Sequence, residues 1–279
     1  MSGILYVVGT PIGNLGDMTF RAIETLKIVN FIAAEDTRVT QKLLNHFKIE
    51  KKMISYFEHN KIERGKLIIN RIKSGENCAL VTDAGMPAIS DPGELIVKQC
   101  YEENIDVKVI PGPSACISAL SISGLSTGRF CFEGFLSMNK KRRKEHLEEI
   151  KCEPRTMIFY EAPHKLLKTL KDMYDVLGSR RVSVVHELTK VHEGVFLGDL
   201  DKVLEIFSNV NIKGEYVLIV EGYKKGKNIC TYSLKEALSI ALKIIKKDKL
   251  SLSDAAKETS NITGISKNNI YKEILKNID

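Results

Sequence analysis

Through the first 112 residues, strand-length and mainly apolar runs alternate with amphipathic stretches. The runs are Leu5–Val8, Asn30–Ala34, Met53–Tyr56, Ala79–Thr82 and Val107–Ile110. Between and after them, apolar residues recur at helical spacing over Phe20–Val29, Thr40–Phe47, Ile62–Lys73, Glu94–Glu103 and Ser114–Ser121. Strands that are apolar throughout are covered on both faces, and alternation with helices makes the sheet parallel. The pattern predicts an α/β domain over residues 1–112, ending near Pro111-Gly112.

A second α/β domain is expected over residues 113–223. Its strands fall at Phe130–Phe135, Thr156–Tyr160, Val182–His186, Val195–Leu197 and Tyr216–Glu221, with helices at Arg142–Ile150, Pro163–Leu177 and Asp199–Phe207. The strand spacing is less regular, and a hairpin around His192 makes this sheet mixed. Residues 224–279 have another texture. An exposed linker, Lys224-Lys225-Gly226-Lys227-Asn228, leads to helices over Leu234–Ile245, Leu252–Ser260 and Lys267–Leu275. Ser251 and Asp254 form a capping-box signature, and Gly264 marks a turn before Ser266. Helix, glycine turn, helix is the outline of a helix-turn-helix motif, and a packed helical tail fits equally well.

With 43% hydrophobic and 28% charged residues, the 279-residue chain is of globular composition. It has no apolar run near the roughly 20 residues that span a bilayer, and Met1-Ser2-Gly3-Ile4 lacks the basic start of a signal peptide. A cytoplasmic protein is expected, with no membrane partner. Six scattered cysteines, Cys78, Cys100, Cys116, Cys131, Cys152 and Cys230, form no zinc spacing and are read as reduced. No metal site is expected. From Lys224 to the end, 12 Lys face 6 acidic residues, so most of the net charge of +7 lies there. With the run Lys140-Lys141-Arg142-Arg143-Lys144, this makes a polyanionic partner as good a reading as merely solvated helix faces.

In open parallel sheets, ligands bind beyond the carboxyl ends of the strands. There the chain carries Gly9-Thr10-Pro11-Ile12-Gly13-Asn14-Leu15, Ala34-Glu35-Asp36-Thr37-Arg38, a long loop from Thr82 to Gly93, and Pro111-Gly112-Pro113-Ser114-Ala115. The opening loop has neither the Lys of a P-loop nor a complete dinucleotide fingerprint, since Pro11 stands at a needed glycine. Small residues allow close backbone approach, and the carboxylates of the Asp83 loop suit an ammonium or sulfonium ligand rather than a polyphosphate.

These loops, with Glu133-Gly134-Phe135-Leu136 and Phe159-Tyr160-Glu161-Ala162-Pro163-His164, resemble the tetrapyrrole methylase superfamily. Within it they resemble the bacterial enzymes that methylate small-subunit ribosomal RNA. The resemblance spans essentially the whole chain. It implies two α/β domains, S-adenosylmethionine held between them, and a homodimer. It implies 2′-O-methylation of a cytidine ribose at the decoding centre of 16S rRNA, as RNA or assembled subunit. By resemblance, the donor contacts are Thr10, Pro11, Gly13, Asn14, Leu15; Asp83, Ala84, Gly85, Ala88, Ile89; Pro111, Gly112, Ser114, Ala115. From the second domain, the segment Phe132–Phe135 (with Phe132, Glu133 and Gly134 as contacts) and strand Tyr216–Gly222 close over the donor. Ser137, Lys165 and Leu197 depart from the residues common in the family.

A ribose hydroxyl needs a base or an orienting group. The candidates for catalysis are Asp36, Glu161 and His164, and for RNA contact Arg38, Lys190, Arg142 and Arg143. Asp36 is equally suited to capping the following helix, and Pro163 to opening one. Two rival readings stand: a relative acting on a macrocycle or a protein side chain, and a non-enzymatic nucleic-acid binder using the helical tail.

Overall fold

The computed structural model describes residues 2–224, 232–248 and 250–277. The first sheet holds β1 (Ile4–Val8), β2 (Phe31–Ala34), β3 (Lys52–Ser55), β4 (Cys78–Val81) and β5 (Asp106–Ile110) in the order β3-β2-β4-β1-β5, all parallel. Helices α1 (Phe20–Ile28), α2 (Thr37–His46), α3 (Lys61–Lys73), α4 (Gly93–Glu102) and α5 (Ala115–Ile122) alternate with the strands. Every residue of β2 and β4 is buried, because both sheet faces are covered. Leu5, Phe31, Ile68, Ile72 and Ile96 pack on one side, and Val8, Leu26, Ile32 and Leu44 on the other.

The second sheet is mixed, as a hairpin around His192 requires. Strands β6 (Phe130–Phe135), β7 (Thr156–Glu161), β8 (Arg181–His186), β9 (Gly194–Asp199) and β10 (Tyr216–Val220) run in the order β6-β7-β10-β8-β9, and only β6 and β7 pair in parallel. Helices α6 (Lys140–Glu149), α7 (Leu166–Leu177) and α8 (Leu200–Ser208) complete this unit. One sheet face packs on α7 and α8 through Phe159, Leu170, Met173, Val203, Phe207 and Leu218. The other face, with Ile158, Val185, Val217 and Ile219, packs on Ala119 and Leu120 of α5 and on Ile12 of the opening loop. That contact brings the second sheet against the ligand loops of the first.

Element ends differ from expectation for local reasons. Helix α2 starts at Thr37 rather than Thr40 because Asp36 caps it, accepting the Arg38 N–H at 2.8 Å. The expected helix Pro163–Leu177 opens with a 3-10 turn over Pro163–Lys165, closed by Lys165 N–H to Ala162 O at 3.0 Å. Strand β9 runs through Gly194 and Gly198 because pairing with β8 overrides their poor strand propensity. The expectation of six reduced cysteines is corrected at Cys152, which is disulfide-bonded, a spatial pairing that sequence spacing does not reveal. Cys78, Cys100, Cys116 and Cys131 are free. Cys230 and most of the expected linker lie outside the described residues.

Helices α9 (Leu234–Asp248), α10 (Leu252–Thr263) and α11 (Lys267–Leu275) share a small core of Ala237, Ala241, Ala256, Ile270 and Ile274. Ser251 caps α10, accepting the Asp254 N–H at 3.1 Å. Gly264 ends α10 at φ 71°, and Ser266 caps α11, accepting the Asn269 N–H at 3.3 Å. Among the described residues no helix is long and apolar enough to cross a membrane.

Candidate active site

The four loops meet at the carboxyl edge of the first sheet, and mostly their backbones hold them together. Thr10 and Gly85 exchange backbone hydrogen bonds at 3.0 and 3.1 Å, and the Thr10 hydroxyl donates to Thr82 O at 3.1 Å. Gly9 and Gly112 touch: a methyl on Gly112 would stand 2.8 Å from the Gly9 Cα. Only glycine allows two chains to cross so closely. Asp83 accepts the Asp36 N–H at 3.0 Å, and Glu35 accepts from the Thr82 hydroxyl at 2.5 Å.

The Asp83 loop carries left-handed backbone at two non-glycine residues, Ala88 (φ 68°) and Ser90 (φ 65°). Each such residue costs about 1–3 kcal/mol and persists only when its surroundings enforce it. Asp91 enforces it here, accepting N–H groups from Ala88 at 3.0 Å, Ile89 at 3.3 Å and Gly93 at 2.7 Å. Across the cleft, the β8–β9 hairpin holds Glu187 (φ 49°) and Thr189 (φ 65°) in the same region. A methyl on Gly13 would stand 2.6 Å from Lys190 Cγ, so the opening loop lies directly on this hairpin.

The two edges enclose a cleft of about 430 Å³, within the roughly 300–1,000 Å³ usual for small-molecule sites. Ile12, Val185, Leu188 and Val217 give it an apolar floor. Glu35, Asp83, Asp91, Glu161 and Glu215 line it, and no Lys, Arg or His is among the lining residues. Glu35 Oε1 and Asp83 Oδ2 have no hydrogen-bond partner among the described residues, whereas both oxygens of Glu161 are engaged. Glu161 accepts from Ala162 N–H at 2.8 Å and Thr169 Oγ1 at 2.5 Å, and Lys165 Nζ lies 3.3 Å away. Burial pushes the Asp83 carboxyl above its usual range, against the Asp36 N–H that lowers it. Such a cleft suits a cation and repels phosphate.

Of the residues expected at the site, the structure brings Asp83, Ala84, Gly85, Ile89, Ser114, Ala115 and Glu161 into the lining. Thr10, Gly13, Ala88, Pro111 and Gly112 stand outside the lining and serve as loop framework, as does Pro11 beside them. Asn14 caps the 3-10 turn that contains Leu15, accepting the Gly16 N–H at 2.9 Å. Phe132 packs edge-on against Tyr160, Gly134 sits at a bulge, and Glu133 pairs with His146 at 2.9 Å. Asp36 caps α2 and pairs with Arg38, whose hydrogen bonds hold its carboxyl down at about 2. His164 is exposed on the 3-10 turn outside the lining.

Arg38 and Arg142 are exposed. The expectation that Arg143 meets RNA is corrected: it is 2% exposed, with Nε 2.7 Å from Asp172 Oδ2 and NH1 donating to Ser137 O. Helical packing of α6 on α7 turns that residue inward from an otherwise basic run. Lys190 is held between Glu187 at 2.8 Å and Glu215 at 2.9 Å. Glu35, Val185, Leu188 and Glu215 also line the cleft, and sequence reasoning does not single them out as site residues. Position at a strand's carboxyl end could have flagged Glu35. The other three depend on how the second sheet docks.

Two stacked α/β units with their loops converging on an acidic cleft define the class. Residues 4–204 match the family described as Tetrapyrrole (Corrin/Porphyrin) Methylases. Among solved structures, diphthine synthase superposes with a TM-score of 0.61 at 14% identity, covering 79% of this chain and 90% of its own. The uroporphyrin-III-C-methyltransferase from Thermus thermophilus gives 0.57 at 17% identity, covering 78% and 94%. The same Thermus enzyme has been solved complexed with S-adenosylhomocysteine, at a TM-score of 0.56 and 17% identity, covering 78% and 97%. These likenesses carry the fold.

The chain belongs to the tetrapyrrole methylase family, and within it to the ribosomal RNA small subunit methyltransferase I group. The protein of that name from Buchnera aphidicola subsp. Schizaphis graminum is 42% identical over 100% of this chain and 98% of its own. That from Escherichia coli O157:H7 is 44% identical over 98% and 95%. That from Halalkalibacterium halodurans reaches 54% over 79% and 76%.

Proposed function

We propose that this protein is an S-adenosylmethionine-dependent methyltransferase acting on small-subunit ribosomal RNA, and that it methylates the 2′-oxygen of a cytidine ribose at the decoding centre. The observation that carries this reading is the acidic cleft, in which Glu35, Asp83 and Glu215 each keep one carboxylate oxygen without a partner among the described residues, and whose lining residues include no Lys, Arg or His. Its apolar floor and volume fit a donor with a purine at one end and sulfonium and ammonium charges at the other. Near-full-length similarity to proteins named as small-subunit rRNA methyltransferases supports RNA as acceptor.

When bound, the donor supplies a methyl group already activated by the sulfonium charge. The chain's part is mainly positioning. Asp83 holds the cationic end through its free oxygen, and the loops anchored by Asp91 and Thr10 fix the donor against backbone. Glu35 orients the ribose hydroxyl and receives its proton, since its Oε1 is open while Glu161 is fully engaged. Arg38 and Arg142, exposed outside the acidic cleft, take phosphates of the flanking RNA. We propose residues 1–112, 113–223 and 224–279 as the three domains and the homodimer as the working form, in the cytoplasm with the ribosomal subunits. Sedimentation of the purified protein tests the dimer.

The test of function is transfer of labelled methyl to assembled small subunits, naked 16S RNA and a tetrapyrrole, with the labelled nucleoside identified by mass spectrometry. Label on a cytidine 2′-oxygen is expected. Label on the macrocycle alone, or none with a protein that the donor does not stabilise, overturns the reading.

A further inference from the structure

Strand β6 contains a bulge. Its residues pair with β7 as Phe132 with Ile158, then Gly134 with Phe159 and Phe135 with Tyr160, so Glu133 is the extra residue. In a regular strand Phe132 and Phe135 would point to opposite faces, because side chains alternate. Ile158 and Tyr160 lie two apart on β7 and share a face, and the bulge places Phe135 on that face beside Phe132. Both rings meet Tyr160 edge-on, at 4.9 and 5.5 Å between centroids. Tyr160 is itself fixed, its hydroxyl accepting the Cys116 N–H at 3.1 Å. Gly134 enables the bend at φ 64°, a conformation that strains any residue with a side chain, and a methyl in its place would stand 3.2 Å from Ser90 Oγ, so that the hydroxyl would have to shift. Bulges next to active sites re-aim side chains in this way.

The re-aimed ring lines the cleft yet stays 55% exposed, between buried Gly134 and Leu136. Lys165 Nζ lies 5.9 Å from the ring centroid. A ring that only filled space would be covered, and a ring that gripped the donor's purine would lie among the buried apolar residues of the floor. We propose that Phe135 is the platform on which the base of the acceptor nucleotide stacks once its ribose enters the cleft. This rests on the RNA-methyltransferase reading. Ribose chemistry in a closed cleft requires the nucleotide to leave its neighbours, and an aromatic face replaces the lost stacking. Stacking accepts any base, so Phe135 supplies affinity and placement and leaves base identity to other contacts.

The test compares Phe135→Leu, Phe135→Ala and Phe135→Trp with the unaltered chain. Three quantities are measured: methyl transfer to small-subunit RNA, affinity for S-adenosylhomocysteine by calorimetry, and melting temperature. The leucine and alanine variants should raise the RNA KM about tenfold or more, a single stacked base's share of affinity. Their ligand affinity and melting temperature should stay near those of the unaltered chain, and tryptophan should restore the KM. If leucine performs as well as phenylalanine, packing rather than stacking is at work and the proposal falls. Parallel loss of S-adenosylhomocysteine affinity would place the ring against the donor and overturn it too. If the unaltered chain transfers no methyl to RNA, the functional reading fails instead, a result these variants do not produce.

Discussion

Both edges of the cleft hold left-handed backbone, but the first sheet brings loops whose glycines touch and two carboxylates with open oxygens, while the second brings bulky side chains most of which are tied to partners. On the first edge, Gly9 touches Gly112, Ala88 and Ser90 are left-handed, and Glu35 and Asp83 each keep an open oxygen. On the second, Tyr160, Glu161 and Lys190 are tied to named partners, and Phe135 alone of the cleft aromatics stands more than half exposed. The difference separates two tasks. An edge made of backbone fixes one small ligand and tolerates no added atom. An edge made of side chains can be retuned for the acceptor without disturbing the donor.

The most severe way to break that division is Gly112→Ala. Its methyl would stand 2.8 Å from the Gly9 Cα, and backbone cannot step aside as a side chain can. Overpacking of this kind costs about 1–3 kcal/mol or more. The melting temperature should fall by several degrees and S-adenosylhomocysteine binding should vanish in calorimetry. A variant with unchanged affinity would show that the first edge is not rigid.

Asp83→Asn should spare the fold while weakening the ligand about tenfold, the loss of one charge-assisted contact of about 1.5 kcal/mol. Its pH dependence has a definite sign. Burial raises the folded carboxyl above its ordinary value of 3.8, so this group costs stability once ionised and adds none at neutral pH. Affinity for the cationic donor should fall as pH drops through that raised value, and the asparagine variant should lose the dependence. Donor titrations across acid pH check both.

Periodicity makes the fold legible because strands apolar throughout and helices with one apolar face leave few alternatives. The hairpin around His192 likewise points to a mixed second sheet. At the site, the Asp83 loop can be read because Gly, Pro and Asp cluster densely there. Glu35 is easily missed beside Asp36, since neighbouring carboxylates differ only in where the chain turns them. Arg143 looks like its basic neighbours until the docking of α7 pairs it with Asp172. The bulge at Glu133 is invisible in the sequence, for it exists only in the register with β7.

A second contrast sets the whole cleft against the C-terminal helices, which pack on one another around their own core. Cutting after Lys224 keeps the Tyr223 N–H bonded to Glu153 O at 2.6 Å and removes most of the basic excess. If these helices hold RNA phosphates, the truncated protein should bind S-adenosylhomocysteine normally, show an RNA KM several-fold higher and respond less to salt. The measurements belong in reducing buffer, because Cys152 is disulfide-bonded. An RNA KM identical at every salt concentration would assign the helices a packing role.

The smallest effect expected concerns the bulged residue itself. Glu133 and His146 meet at 2.9 Å, and the contact lowers the acid's pKa and raises the imidazole's. The histidine's share of stability is complete below its ordinary value of 6.5 and is lost as pH rises through its raised folded value. The glutamate's share holds above 4.5 and is lost as pH falls through its lowered folded value. The pair therefore supports the bulge best between those limits. Replacing His146 with alanine should cost under about 1 kcal/mol near pH 6 and almost nothing near pH 9, since a partly exposed ion pair is weak. Melting curves at the two pH values read this directly. Phe135 lies just beyond the bulge, so the RNA KM of this variant should rise slightly with pH-matched loss of stability, while ligand affinity at the opposite edge stays constant. A loss equal at both pH values would mean that the imidazole packs against β6 as a neutral ring and contributes no charge.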